Sequence, residues 1–173
     1  MKDRNIMPND RERTVIPGKY IVSTSDRSGR ITSVNDAFVE YSGYSREEML
    51  GKQHNLIRHP DMPRAIFWLA WNALEAGEDF YGYVKNLCHD GGFYWVFAHI
   101  LPEFDAEGDI VGYKSIRREA NSRAIAAVVP LYADMLAAEQ AAGPKEAIAA
   151  GLSVLKQYLS AHRQSYEQMV SSL

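Results

Sequence analysis

The sequence predicts an α+β fold: one five-stranded antiparallel sheet with short helices on one face, followed by a C-terminal helical extension. Three observations carry this reading. Five runs have strand composition, and each is bounded by Gly, Asp or Asn turn residues. The runs fall in two blocks, two before a set of short helical signals and three after. That is the pattern of helices gathered on a sheet face, not of alternating βαβ units. Beyond Arg118 the strand signal stops, and apolar residues recur at helical spacing.

The elements come in this order. Residues 1–17 are polar and irregular, close on Pro17-Gly18, and read as a flexible arm. Residues 20–24 and Ile31–Val34 make a hairpin around the turn at 26–29. Asn35 and Asp36 can cap a short helix carrying Phe38, Val39 and Tyr41, which Gly43 ends. Ser45-Arg46-Glu47-Glu48 is a capping box, opening another short helix that stops at Gly51. Asp61 is placed to cap a helix over 62–76, in which Phe67, Ala70, Trp71 and Leu74 share a face. Three strands come next, Phe80–Leu87, Phe93–Phe104 and 110–116, with turns at 90–92 and 105–108. Residues 124–138 are helical in pattern, Pro130 is expected to kink them, and Gly143-Pro144 breaks and restarts the helix. From there Ile148, Leu152, Leu155, Leu159, His162, Tyr166, Met169 and Leu173 alternate by four and three. This heptad seam favours a partner helix, with His162 as a polar register residue.

Composition narrows the function classes. A chain of 173 residues with 46% hydrophobic and 24% charged residues suits a globular domain with an appendage. A net charge of −3 lacks the basic face that nucleic acid needs. The single cysteine, Cys88, excludes an internal disulfide and suits a reducing compartment. No apolar run reaches the ~18 residues of a membrane span, and no secretory signal opens the chain, so a cytoplasmic location is expected. No nucleotide-binding glycine motif, nucleophile elbow or four-ligand zinc pattern appears, so no catalytic or metal residues are expected.

The most informative segment is Gln53-His54-Asn55-Leu56-Ile57-Arg58-His59-Pro60-Asp61-Met62-Pro63-Arg64. Two prolines stiffen it while two histidines, two arginines and an aspartate make it polar. Such a loop beside an aromatic helix suits a large ligand, flat at one end and charged at the other. Arg58 can bind a pyrophosphate or a ring carbonyl with its planar fork, or form a surface ion pair with Asp61 or Glu48. His59 can donate to a ligand or cap the next helix. Trp71 can stack on a ring or fill the core. Asn86, on a central strand, needs its amide satisfied if it is buried.

Several runs resemble one family. Asn35-Asp36-Ala37-Phe38, Ser42-Gly43-Tyr44-Ser45, the Arg58-to-Pro63 run, Val84-Lys85-Asn86, Tyr94-Trp95-Val96 and Gly112-to-Arg117 are similar to the PAS domains of aerotaxis (energy-taxis) receptors. Ala124 to Tyr132 is similar to the segment directly after the PAS core in those receptors. The resemblance covers about residues 20 to 136. It implies a PAS sensor domain over 18–119, with a helical or coiled-coil signalling extension over 120–173. It also implies noncovalent FAD read as a redox, oxygen or energy signal, without catalysis. FAD-binding positions carry over to Arg58, His59, Asp61 and Trp71, with His54, Asn35 and Asn86 in supporting positions. A homodimer through the PAS domain and C-terminal helix is expected, with a chemoreceptor signalling domain or another protein as the output partner. Haem held by His54, His59, His89 or His99 is the rival cofactor. A cofactor-free interaction module is the third reading.

Overall fold

The protein is described by a computed structural model in which residues 6–173 are placed. The chain divides into two compact units: residues up to 59 with 73–120, and residues 60–72 with 121–173.

The first unit is built on five antiparallel strands: β1 (Ile21–Asp26), β2 (Ile31–Val34), β3 (Phe80–Leu87), β4 (Phe93–Phe104) and β5 (Ile110–Glu119). They form the single expected sheet, in the order β2-β1-β5-β4-β3. The two hairpin blocks meet where β1 pairs with β5, with Ile21 opposite Arg117 and Ser23 opposite Ser115. Asn35 caps α1 (Asp36–Ser42) by accepting from the Phe38 amide, and Gly43 closes it at φ 74°. There the left-handed backbone suits a residue without Cβ. The Ser45–Glu48 capping box opens α2 (Arg46–Met49) as the spacing requires. A 3₁₀ turn, η1 (His54–Ile57), then leads into the polar loop. β5 runs to Glu119, three residues past its expected end, because β4 is long enough to pair with it as far as Val96.

Of the expected arm, residues 1–5 lie outside the described residues, and the rest is not free. Among the described residues, the Asn9 amide donates to the Gly91 carbonyl, while Arg13 and Arg11 exchange backbone hydrogen bonds with Phe93. Arg13 also donates to the Asp90 carboxylate at 2.9 Å and to the carbonyls of Glu40 and Tyr41. Val15 is buried. The expected flexibility is thus replaced by pairing beside the β3–β4 turn. The polar composition that suggested a loose arm supplies the side chains that pin it.

The second unit holds most of α3 (Arg64–Glu75) together with α4 (Ser122–Ala161) and α5 (Tyr166–Ser172). α3 begins at Arg64, two residues later than expected. The amides of Arg64 and Ala65 donate to the Glu139 carboxylate, at 2.8 and 2.9 Å. Asn121 caps α4, and Pro130 lies inside it. Gly143 at φ 75°, ψ 174° breaks α4 into limbs of residues 122–142 and 144–161. By length and composition α4 is the one helix among the described residues that would suffice to cross a membrane, with a third of its most apolar window buried.

The heptad seam does not run through. The His162 Nδ1 pairs with the Tyr158 carbonyl at 2.8 Å and its ring stacks on Tyr158. Arg163 turns the chain at φ 52°, and a second capping box, Ser165 with Gln168, starts α5. Leu155 and Met169 are buried within the single chain. The four-three spacing looks continuous only if the Ser-x-x-Gln restart inside it is overlooked.

Candidate functional site

The inner face of the sheet collects polar groups that a core would normally exclude. Asn86 on β3 stands opposite Tyr94 on β4, and Arg117 on β5 stands opposite Ala98. Residues 94, 96 and 98 share one face by strand alternation, so Asn86, Tyr94 and Arg117 do too. Ser23 joins them from β1, opposite Ser115 and so two positions along from Arg117. All four are buried; Arg117 and Asn86 are each 3% exposed.

A hydrogen-bonded chain runs across this face. Arg117 Nη2 donates to Ser23 Oγ at 2.6 Å, and Ser23 Oγ lies 3.0 Å from His54 Nε2. A guanidinium only donates, so the hydroxyl proton is free to go to Nε2, which leaves the imidazole proton on Nδ1. The Phe38 ring lies between the two ends. The Arg117 guanidinium carbon sits 4.2 Å from its centroid, and the His54 ring is stacked at 5.8 Å. Burial, with the Arg117 charge adding to it, pushes the His54 pKa down to about 3. Burial also lowers Arg117, to about 10, which leaves it charged at neutral pH. The Tyr94 phenol is raised by burial and stays protonated.

The face is under-satisfied. Arg117 Nε and Nη1, Asn86 Nδ2 and Tyr94 Oη are all buried without a hydrogen-bond partner. Leaving a buried donor unpaired costs roughly 1–3 kcal/mol, and more for a charged group. Arg117 and Asn86 between them leave buried N–H groups that call for a ligand rich in acceptors. The edge of a flavin ring, with carbonyl oxygens and ring nitrogens, has that chemistry. These residues fit such a group.

The other expected site residues are more scattered. Arg58 is half-buried, and its backbone bridges Asn86, which fixes the loop against β3. His59 is 3% exposed, edge-on to Phe93 at 5.9 Å, and the Lys85 ammonium lies 4.2 Å from the same Phe93 ring. His54, Arg58, His59 and Asn86 therefore all belong to the first unit. Asn35 has a structural role: it caps α1, accepts from the Val22 amide and donates to the Tyr20 carbonyl. Asp61 and Trp71 belong to the second unit, and both are exposed, Trp71 by 37%. The buried residues of α3 are Ala65, Ile66, Ala70 and Leu74; Phe67 is half-buried and Trp71 lies at the exposed margin of that face, not within it as its spacing from Phe67 suggested. Of the remaining histidines, His89 packs on Tyr44 and His99 Nε2 lies 2.6 Å from Asp79. Arg117, Ser23 and Tyr94 are site residues that sequence reasoning missed. The signal for Arg117 was present: an arginine in phase with the buried positions of a central strand has no place in an apolar core.

Comparison with known proteins agrees with this architecture. The sequence profile of the PAS fold matches residues 31–117. The chain is 48% identical over 112 residues, 65% of its length, to the aerotaxis receptor of Escherichia coli. It is 30% identical over 98 residues, 57% of its length, to a nitrogen fixation regulatory protein of Klebsiella pneumoniae. These matches span only 22% and 20% of the relatives' own lengths. Among solved structures, a light-oxygen-voltage domain studied with a flavin analogue aligns at TM-score 0.56 and 23% identity, over 64% of this chain and 83% of that one. A PAS domain from Colwellia psychrerythraea aligns at TM-score 0.54 and 24% identity, over 58% and 86%. The relatives are named as receptors and regulators. With a matching profile over half the chain and the five-stranded sheet to go with it, the chain belongs to the PAS family.

Proposed function

We propose that this chain is a cytoplasmic sensor module that binds FAD noncovalently on the inner face of its PAS sheet and reports redox, oxygen or energy state to its C-terminal helices. The observation that carries this reading is the set of buried, unpartnered polar atoms on Arg117, Asn86 and Tyr94. The light-oxygen-voltage neighbour studied with a flavin analogue supports flavin as the acceptor-rich group, and the aerotaxis relative supports a sensory role.

Arg117 and Asn86 would hold the ring edge through their free N–H groups, and Tyr94 would offer its phenol. His54 stays neutral beside them and keeps Ser23 and Arg117 in place. Arg58 and His59 would serve the anionic end of the ligand, Arg58 through its fork. Asp61 would orient the loop, and the exposed Trp71 would supply a stacking face. Bound flavin supplies reversible uptake of electrons and a proton. A change in the ligand's acceptors alters which N–H groups of Asn86 and Arg117 are satisfied. That difference can bias β5 and the helix after it, but only by the differential contact energy of the two states. A homodimer and a chemoreceptor-type output partner belong to the same reading.

An absorption spectrum of the purified protein from about 300 to 700 nm, before and after dithionite, tests it. Flavin bands that bleach on reduction are expected. Arg58→Ala and Trp71→Ala should weaken flavin retention. A Soret band would move the case to haem, and a featureless spectrum after incubation with FAD would leave a cofactor-free interaction module.

A further inference from the structure

The loop that ends in Pro63 feeds directly into the first turn of α3, and that turn is held by a side chain from far along the chain. Glu139, 4% exposed, accepts from the Arg64 amide at 2.8 Å and from the Ala65 amide at 2.9 Å. The first amides of a helix have no partner within the helix, so this carboxylate supplies what a local cap normally would. Glu139 sits on the first limb of α4. The second limb closes over it: Gly151 is buried, and a Cβ added there would lie 2.5 Å from Glu139 Oε1 and 2.9 Å from the Ala65 Cβ. Arg64 Nη1 reaches the Pro144 carbonyl, at the start of that limb, at 3.3 Å. One carboxylate thus lies against the helix start and both limbs.

We propose that Glu139 is a positioning residue that couples the 60–63 loop to both limbs of α4. A shift of the loop moves the Arg64 and Ala65 amides. The carboxylate is bound to both and hemmed in by Gly151, so it cannot follow one limb without disturbing the other. The break at Gly143 lets the limbs respond separately. A glutamate pointing into an alanine-rich interior would otherwise be an expensive choice, and the absence of a side chain at Gly151 is what admits it. The proposal gives the sensor reading a route from loop to helix and depends on that reading only for what moves the loop.

The test is a double-mutant cycle read by amide hydrogen exchange on the full chain. Pro60→Gly loosens the loop, and Glu139→Gln keeps the shape while leaving one acceptor for two amides. Glu139→Gln alone should speed exchange at Arg64 and Ala65 roughly tenfold or more. Pro60→Gly should speed exchange in residues 144–161 by at least about threefold when Glu139 is present, and should have no such effect in the Glu139→Gln background. An equal response in both backgrounds would remove Glu139 from the link. No response in either would overturn the coupling. Should Glu139→Gln fail to fold, Gly151→Ala crowds the same carboxylate and takes its place in the cycle. Flavin absorbance recorded on the same samples reports on the cofactor reading separately: an unpigmented parent protein sinks FAD binding and leaves the cycle as informative as before.

Discussion

Replacing Arg117 with methionine should stabilise the cofactor-free protein while weakening its hold on flavin. The guanidinium is 3% exposed, and among the described residues no carboxylate pairs with it. Its lowering from 12.5 to about 10 corresponds to about 3 kcal/mol of disfavour for the charged form. Against that stand one hydrogen bond to Ser23 and the contact with the Phe38 face, together worth about 2 kcal/mol. Methionine is of similar length, fills the same space and leaves no polar atom unsatisfied. Ser23 keeps its bond to His54. The balance favours methionine by about 1 kcal/mol, which at this chain length raises Tm by about 2–4 °C. Urea unfolding of the cofactor-free protein reads the first half of the prediction, and flavin retained through gel filtration reads the second. If Arg117→Met lost more than about 1 kcal/mol without ligand, or held flavin as the parent does, the reasoning that this cation waits for an acceptor would be refuted.

Three further outcomes are expected. His54 has a folded pKa of about 3 against an ordinary 6.5, so the unfolded chain binds the proton that the fold refuses; stability from this group is intact above pH 6.5 and is lost as pH falls towards 3. At pH 5 the loss is about 2 kcal/mol, and His54→Phe should flatten the fall between pH 7 and 5 by that amount in denaturant titrations. Cys88 is buried, donates to the Tyr41 carbonyl, and has its thiol pushed up to about 11 by burial, so a thiol reagent at pH 8 should react with it only after unfolding. Removing residues 1–15 should lower stability by about 1–3 kcal/mol in calorimetry, because the β3–β4 turn loses its backbone partners and Asp90 loses Arg13; an unchanged Tm would mean that the arm is dispensable.

Most of the sheet was legible because strand residues and turn residues alternate cleanly. Ile31–Val34, Phe80–Leu87 and Phe93–Phe104 fall where their turns place them. The caps at Asn35 and Ser45 were legible because a cap is a local hydrogen bond between residues three apart. The cap on α3 was not, because Glu139 reaches it from 74 residues away and no local pattern records such a partner. The C-terminal seam misled for a related reason: heptad spacing describes which residues share a stripe but not whether the stripe is interrupted. In the site, the 58–59 loop and Asn86 were legible from their polarity and place. Arg117 was hidden inside an ordinary strand run, and only the pairing register shows that it points inward with Asn86 and Tyr94.

Asn121 closes the C-terminal segment on itself. Its Oδ1 caps α4 at Ala124, and its Nδ2 donates to the Leu173 carbonyl at 3.1 Å. Residues 121 and 173 are therefore held together by one side chain, like a loop of rope held at a single cleat. While that bond holds, probes attached near 121 and 173 would report little distance change, whereas a pair placed across Gly143 would register a movement of the limbs. A rearrangement of the limbs that kept this bond would change the shape of the loop without moving residue 173 away from residue 121.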